Sequence, residues 1–173
     1  MRKDVACILL AGGSGSRMAG DQPKQFVRIA GKTILEHSLN ALRQHLPLVR
    51  IVVTAPFADV DKVARMFQHD TLVQVIAGGV SRQASTLKGL KALADDAPHN
   101  IVIHDGARPF LDGRTLSDVM EALEEYDAVD VAIPTADTII AERDGFIENI
   151  PKRKHLLRGQ TPQAFRYKDL VSC

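Results

Sequence analysis

Short apolar runs recur along the chain at Val5-Ala6-Cys7-Ile8-Leu9-Leu10-Ala11, Arg50-Ile51-Val52-Val53-Thr54, Leu72-Val73-Gln74-Val75-Ile76, Asn100-Ile101-Val102-Ile103 and Val129-Asp130-Val131-Ala132-Ile133. Most are rich in β-branched residues and lack strict alternation, which predicts strands covered on both faces. Helical periods lie between them. Leu35, Leu39, Leu42 and Leu46 form one apolar stripe, and Val60, Val63, Ala64 and Phe67 form a second. Leu87, Leu90 and Ala94 form a third, and Leu116, Val119, Met120 and Leu123 a fourth. Thr33 followed three residues later by Glu36 has the spacing of a capping box at the start of the first stripe. Buried strands alternating with helices predict a doubly wound α/β domain with a mostly parallel sheet and right-handed crossovers. Ligands of such sheets sit beyond the carboxyl ends of the strands. After Pro134 the pattern changes. Residues 137–142 and 146–150 read as short β runs joined by Arg143-Asp144-Gly145, a projecting hairpin with a glycine turn.

Length and composition leave this picture intact. A chain of 173 residues is expected to form one compact domain, and 45% apolar with 25% charged residues is ordinary for a folded soluble domain. The net charge of +1 removes the global excess that marks a nucleic-acid or membrane-surface binder, so an anion site must be local. Neither nucleic acid nor membrane is an expected partner. No stretch approaches the ~18 apolar residues that span a bilayer. Asp4 interrupts the basic start and the apolar run after it is short, which favours a strand over a signal peptide. Cys7 and Cys173 form neither a disulfide framework nor a zinc-ligand spacing, as expected for a reducing compartment, the cytoplasm.

The first run leads directly into Gly12-Gly13-Ser14-Gly15-Ser16-Arg17-Met18. Glycines there let the backbone fold tightly and present successive N–H groups to a phosphate. A dinucleotide fingerprint fails because Met18 stands where a third glycine or alanine is needed, and no acidic residue closes the second run. A P-loop fails because Gly20 is followed by Asp21-Gln22 rather than Lys and Ser or Thr. What remains is a glycine turn with Arg17 and, in Pro23-Lys24-Gln25, Lys24: two cations able to close over a polyphosphate. The fourth run ends in His104-Asp105-Gly106-Ala107-Arg108-Pro109, where Asp105 would face the ligand crevice and suit Mg²⁺ held by one carboxylate, phosphate oxygens and water. Pairing with Arg108 is the alternative for that carboxylate. Gly78-Gly79-Val80-Ser81-Arg82-Gln83-Ala84-Ser85 is a second glycine turn entering a helix. Residues 150–168 carry Lys152, Arg153, Lys154, Arg158, Arg166 and Lys168 with few aromatics, which suits a small phosphorylated ligand better than single-stranded nucleic acid. No nucleophile–base pair accompanies these groups. A phosphate monoester acting as nucleophile explains that, because it is largely dianionic at neutral pH and needs no general base.

As a set, Ala11-Gly12-Gly13-Ser14-Gly15-Ser16-Arg17-Met18, Pro23-Lys24-Gln25-Phe26, Gly78-Gly79 with Arg82 and Ser85, His104-Asp105-Gly106-Ala107-Arg108-Pro109-Phe110, Asp137-Thr138 and Gln160-Thr161-Pro162-Gln163-Ala164-Phe165 resemble the cytidylyltransferases that activate polyol phosphates with CTP. That family includes the methylerythritol-phosphate enzyme of isoprenoid synthesis and the ribitol-phosphate enzyme of teichoic acid and capsule synthesis. The resemblance implies a Rossmann-like nucleotidyltransferase fold and CTP with a polyol phosphate as substrates. It assigns Arg17 and Lys24 to catalysis, and Ala11, Gly12, Gly13, Gly15, Gly79, Arg82 and Ser85 to the nucleotide. Asp105 would bind Mg²⁺ and substrate. Thr138 and Arg153, on a hairpin arm spanning residues 135–160, would reach the polyol phosphate of a neighbouring subunit in a homodimer, with Thr161 close by. Family members continue beyond the Thr-Pro-Gln segment, so residues 1–173 are expected to be a single cytidylyltransferase domain lacking the family's C-terminal part. Asp127-Ala128-Val129-Asp130 and residues 145–163 lean toward the ribitol-phosphate branch, with methylerythritol phosphate the alternative substrate. A CTP-binding module without catalysis is the alternative of another class.

Overall fold

The computed structural model describes residues 4–13 and 22–172. Strand β1 (Val5–Leu10) is followed by a 3₁₀ turn at Lys24–Phe26 and a two-stranded ribbon, β2 (Arg28–Ile29) with β3 (Lys32–Thr33). Next come α1 (Ile34–His45), β4 (Arg50–Ala55), α2 (Val60–Met66), β5 (Val73–Ala77), α3 (Arg82–Ala92), β6 (Asn100–Asp105) and α4 (Gly113–Glu125). The chain closes with β7 (Ala128–Pro134), the hairpin β8 (Ala141–Arg143) and β9 (Phe146–Asn149), β10 (Leu157–Arg166) and α5 (Tyr167–Ser172). The six-stranded sheet has the order β5-β4-β1-β6-β10-β7. Strands β5, β4, β1 and β6 are parallel, while β10 runs antiparallel to both β6 and β7.

The uninterrupted apolar run of β1 has a direct structural cause. Val5, Cys7 and Leu9 pack into one core with Leu35, Leu39 and Leu42 of α1, Val63 of α2, and Leu116, Val119 and Leu123 of α4. Ala6 and Ile8 enter a second core with Leu90 of α3 and Tyr167 of α5. Both faces of the strand are therefore buried, and each fully buried Ile or Leu contributes about 1.5–3 kcal/mol relative to an exposed one. Burial also pushes the Cys7 thiol up to about 12, so the residue serves packing, not chemistry. The capping box forms as its spacing requires. The Thr33 hydroxyl accepts from the Glu36 N–H, and the Thr33 N–H donates to the Glu36 carboxylate at 2.6 Å.

Two expectations are corrected. The fifth apolar run, β7, is a sheet edge: Val129 and Val131 pack against the first core, whereas Ala128, Asp130 and Ala132 are exposed. It is not covered on both faces, because the face that carries Val129 and Val131 meets the core while the opposite face, with Ala128, Asp130 and Ala132, is open to solvent. The basic segment after residue 150 also contains a strand that charge alone concealed. Strand β10 inserts between β6 and β7, with a register irregularity between Gly159 and Gln163. The hairpin is present but shorter than its apolar pattern, since only Ala141–Arg143 pairs with Phe146–Asn149. Asp144 and Gly145 both have positive φ, at 53° and 84°, as a tight hairpin turn demands.

Candidate functional site

The carboxyl ends of β1, β5 and β6 open into one cleft of about 670 Å³, lined by residues 10–13, Lys24, Gln25, residues 79–82, Ser85, Asp105, Ala107 and Arg108. Eight residues singled out in the sequence therefore share it: Ala11, Gly12, Gly13, Lys24, Gly79, Arg82, Ser85 and Asp105. Gly15 and Arg17 lie outside the described residues. Ala11 is buried and its N–H donates to the Thr54 carbonyl at 2.8 Å, which pins the exit of β1 to β4. Gly12 and Gly13 follow as exposed backbone at the cleft floor.

The second glycine turn is set by close packing. A Cβ at Gly79 would lie 2.4 Å from Cβ and 2.8 Å from the carbonyl carbon of Ala84, so only glycine lets the turn rest on α3. Ser81 caps this helix by accepting from the Ala84 N–H. The buried Ser85 hydroxyl accepts from the Gly79 N–H at 3.0 Å and donates to the Ser81 carbonyl at 2.9 Å. Ser85 thus ties the turn to the helix while lining the cleft.

Opposite stands Asp105, half-buried at the end of β6, with Arg108 Nε at 3.1 Å and Arg82 Nε at 3.5 Å from its carboxylate oxygens. The pairing with Arg108, open as an alternative from sequence, is present. With Lys24 the described lining of the cleft holds three cations against one carboxylate, a local positive field on a nearly neutral chain. Among the described residues no cluster of three or more His, Cys, Asp or Glu side chains could hold a metal. Asp105 alone fits Mg²⁺ only in the manner of a nucleotide-bound ion, one carboxylate completed by phosphate oxygens and water.

Two residues without an expected role of their own position the site. His104 is buried; its Nε2–H donates to the Arg108 carbonyl at 2.9 Å, while Nδ1 is buried without a partner. A carbonyl can only accept, so the proton sits on Nε2. Burial pulls the imidazole's pKa down, keeping the ring neutral and the 105–108 turn fixed. Gln25 is 3% exposed and its amide nitrogen donates to the carbonyls of Ala11 at 2.7 Å and Gly13 at 3.1 Å. Its place beside Lys24 was the only available sign in the sequence.

Thr138, Arg153 and Thr161 do not line the cleft. Thr138 and Arg153 are exposed, and Arg153 donates to the Ala136 carbonyl at 3.0 Å. The Thr161 hydroxyl is buried without a partner at the irregularity of β10. Its neighbour Gln160 accepts a hydrogen bond from Arg108, so β10 is linked to the Asp105 turn.

This is a doubly wound α/β nucleotidyltransferase fold, with a glycine turn and cations at the strand ends. Residues 5–173 match the family IspD: 2-C-methyl-D-erythritol 4-phosphate cytidylyltransferase, and the chain belongs to that family. It is 38% identical over 97% of its length to the bifunctional enzyme IspD/IspF of Granulibacter bethesdensis, covering 43% of that protein. It is 40% identical over 92% of its length to the bifunctional ribulose 5-phosphate reductase/CDP-ribitol pyrophosphorylase Bcs1 of Haemophilus influenzae, covering 35% of it. A 2-C-methyl-D-erythritol 4-phosphate cytidylyltransferase of Thermobifida fusca is 40% identical over 95% of this chain and 70% of its own. The crystal structure of 4-diphosphocytidyl-2C-methyl-D-erythritol synthase from Anaerococcus prevotii superposes with a TM-score of 0.81 at 28% identity, over 97% of this chain and 72% of that one. The chain thus spans less than half of each bifunctional relative. No helix among the described residues is long and apolar enough to cross a membrane.

Proposed function

We propose that the protein transfers the cytidylyl group of CTP to the phosphate of a polyol phosphate and releases pyrophosphate. The observation that carries this reading is the meeting of Gly12, Gly13, Lys24, Arg82 and Asp105 in one cleft of a chain of this family. A polyol-phosphate oxygen attacks the α-phosphorus of CTP, forming a new P–O bond as the bond to the β-phosphate oxygen breaks. The nucleophile is already ionised at neutral pH, so no side chain need take a proton. The glycine turn holds the triphosphate, and Lys24, with Arg17, stabilises charge that grows on the phosphoryl oxygens as pyrophosphate departs. Asp105, with one of its arginine contacts yielded to phosphate, would hold Mg²⁺. Bound there, the ion would supply Lewis-acid stabilisation of that same charge. Gly79 and Ser85, which line the same cleft, would read the cytosine ring.

Methylerythritol phosphate is the favoured acceptor. The family's description and the name of the Thermobifida fusca relative specify it, whereas the ribitol-phosphate branch that residues 127–130 and 145–163 suggested is supported by the Haemophilus influenzae relative. The exposed apolar side chains of the arm, Phe146, Ile147 and Ile150, suit a homodimer in which Thr138 and Arg153 reach the partner's acceptor phosphate. A cytoplasmic setting agrees with the cysteine usage. Pyrophosphate release by the full-length protein, with CTP and Mg²⁺ and either methylerythritol 4-phosphate or ribitol 5-phosphate, tests the reading. Faster turnover with the first is expected, and faster turnover with ribitol phosphate would reverse the choice of acceptor. CTP binding without release in either case would leave a binding module and overturn the enzyme.

A further inference from the structure

The 3₁₀ turn that carries Lys24 is anchored more firmly than its three residues require. Phe26 is buried in the first core, and the Lys62 ammonium of α2 sits 3.8 Å from its ring centroid. Gln25 points the other way, into the exit of β1, where its amide nitrogen donates to the carbonyls on either side of Gly12. Both partners are acceptors, so the NH₂ end of the amide must face them, and both of its hydrogens are used.

This arrangement has an electrostatic consequence. A backbone carbonyl carries partial negative charge, and two of them at the floor of a cleft for a polyanion would repel it. The Gln25 amide engages both, which offsets their dipoles toward the ligand. It also fixes the distance between the Gly12–Gly13 backbone and the turn bearing Lys24 across residues 14–21. We propose that Gln25 is a positioning residue: its two hydrogen bonds hold the phosphate-side backbone and Lys24 in the relative placement that the transition state needs. The inference rests on the cytidylyl-transfer reading and adds to it a residue whose amide donors engage the backbone of the cleft. Preorganisation of this kind acts on rate more than on ground-state affinity.

The test compares wild-type full-length protein with Gln25→Met, which keeps length and apolar volume but donates nothing, and with Gln25→Glu, which places acceptors against acceptors. Three quantities are read: kcat and KM for pyrophosphate release, CTP affinity by calorimetry, and the protection that CTP gives Lys24 against amine acylation, followed by mass spectrometry. For Gln25→Met, kcat should fall about ten- to a hundredfold, KM for CTP should change less than about threefold, and the CTP protection of Lys24 should be lost. Gln25→Glu should be worse in all three. The thermal midpoint identifies folded material, and the protection ratio is measured on that alone. Wild-type kcat with full Lys24 protection in Gln25→Met would overturn the inference. So would an activity loss that disappears once corrected for the folded fraction. If the wild type binds CTP and protects Lys24 but turns over neither polyol phosphate, the transfer reading fails, and the positioning role is judged on protection alone. If the wild type binds no CTP, both fall.

Discussion

Strands β5, β4, β1 and β6 and the pair β10 and β7 share one sheet but bury their residues differently. In β4, β1 and β6 the two cores close over both faces, the half-buried edge strand β5 packs Val73 and Val75 against one core and Ile76 against the other, and most residues that line the cleft leave from the ends of these strands. In the antiparallel pair coverage is uneven, with Val129, Val131 and Ala164 in the first core and Phe165 against the second while β7 exposes Ala128, Asp130 and Ala132, and the arm beyond it exposes Ile139, Ile140, Phe146, Ile147 and Ile150. A fully packed strand can aim a side chain through its neighbours alone. An exposed apolar arm cannot, and it is the kind of surface that monomeric proteins seldom leave uncovered. The nucleotide side of the proposed reaction is thus built within one chain, while the acceptor side depends on what meets the arm.

Lys24→Ala is the strongest test of that division. Transition-state stabilisation by one well-placed donor is worth about a hundredfold or more in rate. The variant should lose at least that in kcat for pyrophosphate release, with CTP affinity by calorimetry falling far less. A loss of affinity with unchanged kcat would make Lys24 a binding group and remove the chemistry from the compact half. Gly79→Ala should act next most strongly, because its new methyl must displace the first turn of α3. Overpacking of this kind costs about 1–3 kcal/mol. A lower thermal midpoint together with weakened CTP binding is expected, since the same contact shapes the cleft.

How much of this was readable before the structure follows the same division. Strands buried on both faces announce themselves as continuous apolar runs, so β1, β4 and β6 were visible, as were the half-buried apolar run of β5 and the helices whose stripes cover them. Strand β10 was hidden because it mixes Arg158, Gly159, Gln160 and Pro162 with apolar residues, and its partners lie far back in the chain. The cleft residues were legible as glycine turns and charged residues at strand ends. Gln25 and His104 were not, because their roles consist of hydrogen bonds to backbone carbonyls, two for Gln25 and one for His104, which leave no pattern in composition or spacing. Pairing of Asp105 with Arg82 depends on β5 and β6 lying on either side of β4 and β1, a fact of sheet order that no local motif contains.

On the arm, Arg153→Ala should raise KM for the polyol phosphate about tenfold, as expected for one charge-assisted hydrogen bond, while leaving CTP affinity unchanged. Equal effects on both substrates would merge the two halves of the site and break the comparison. Replacing Phe146 and Ile147 together by serine should shift the sedimentation coefficient toward that of the monomer without lowering the thermal midpoint of the compact half by more than a few degrees. An unchanged coefficient would remove the arm from assembly.

The smallest expected effect lies at the opposite end of the sheet from the cleft. Arg43 near the end of α1 donates to both Asp70 carboxylate oxygens, at 2.7 and 3.0 Å, and to the Val49 carbonyl just before β4. Asp70 also accepts from the Leu72 N–H at 3.0 Å, just before β5. Partial burial alone would raise the Asp70 pKa, but the Arg43 hydrogen bonds, the Leu72 N–H and the guanidinium charge together hold it below the ordinary carboxylate value. Its folded pKa being depressed, Asp70 contributes stability that is complete above the unfolded pKa of about 3.9. That stability is lost as the pH falls through the lower folded value. Asp70→Asn should therefore lower stability at neutral pH by about 1 kcal/mol and flatten the acid limb of a denaturation series below about pH 4. It should leave kcat unchanged, because neither Asp70 nor Arg43 lines the cleft. A fall in kcat with Asp70→Asn would mean that the two ends of the sheet are coupled and that the compact half is not the rigid support its packing implies.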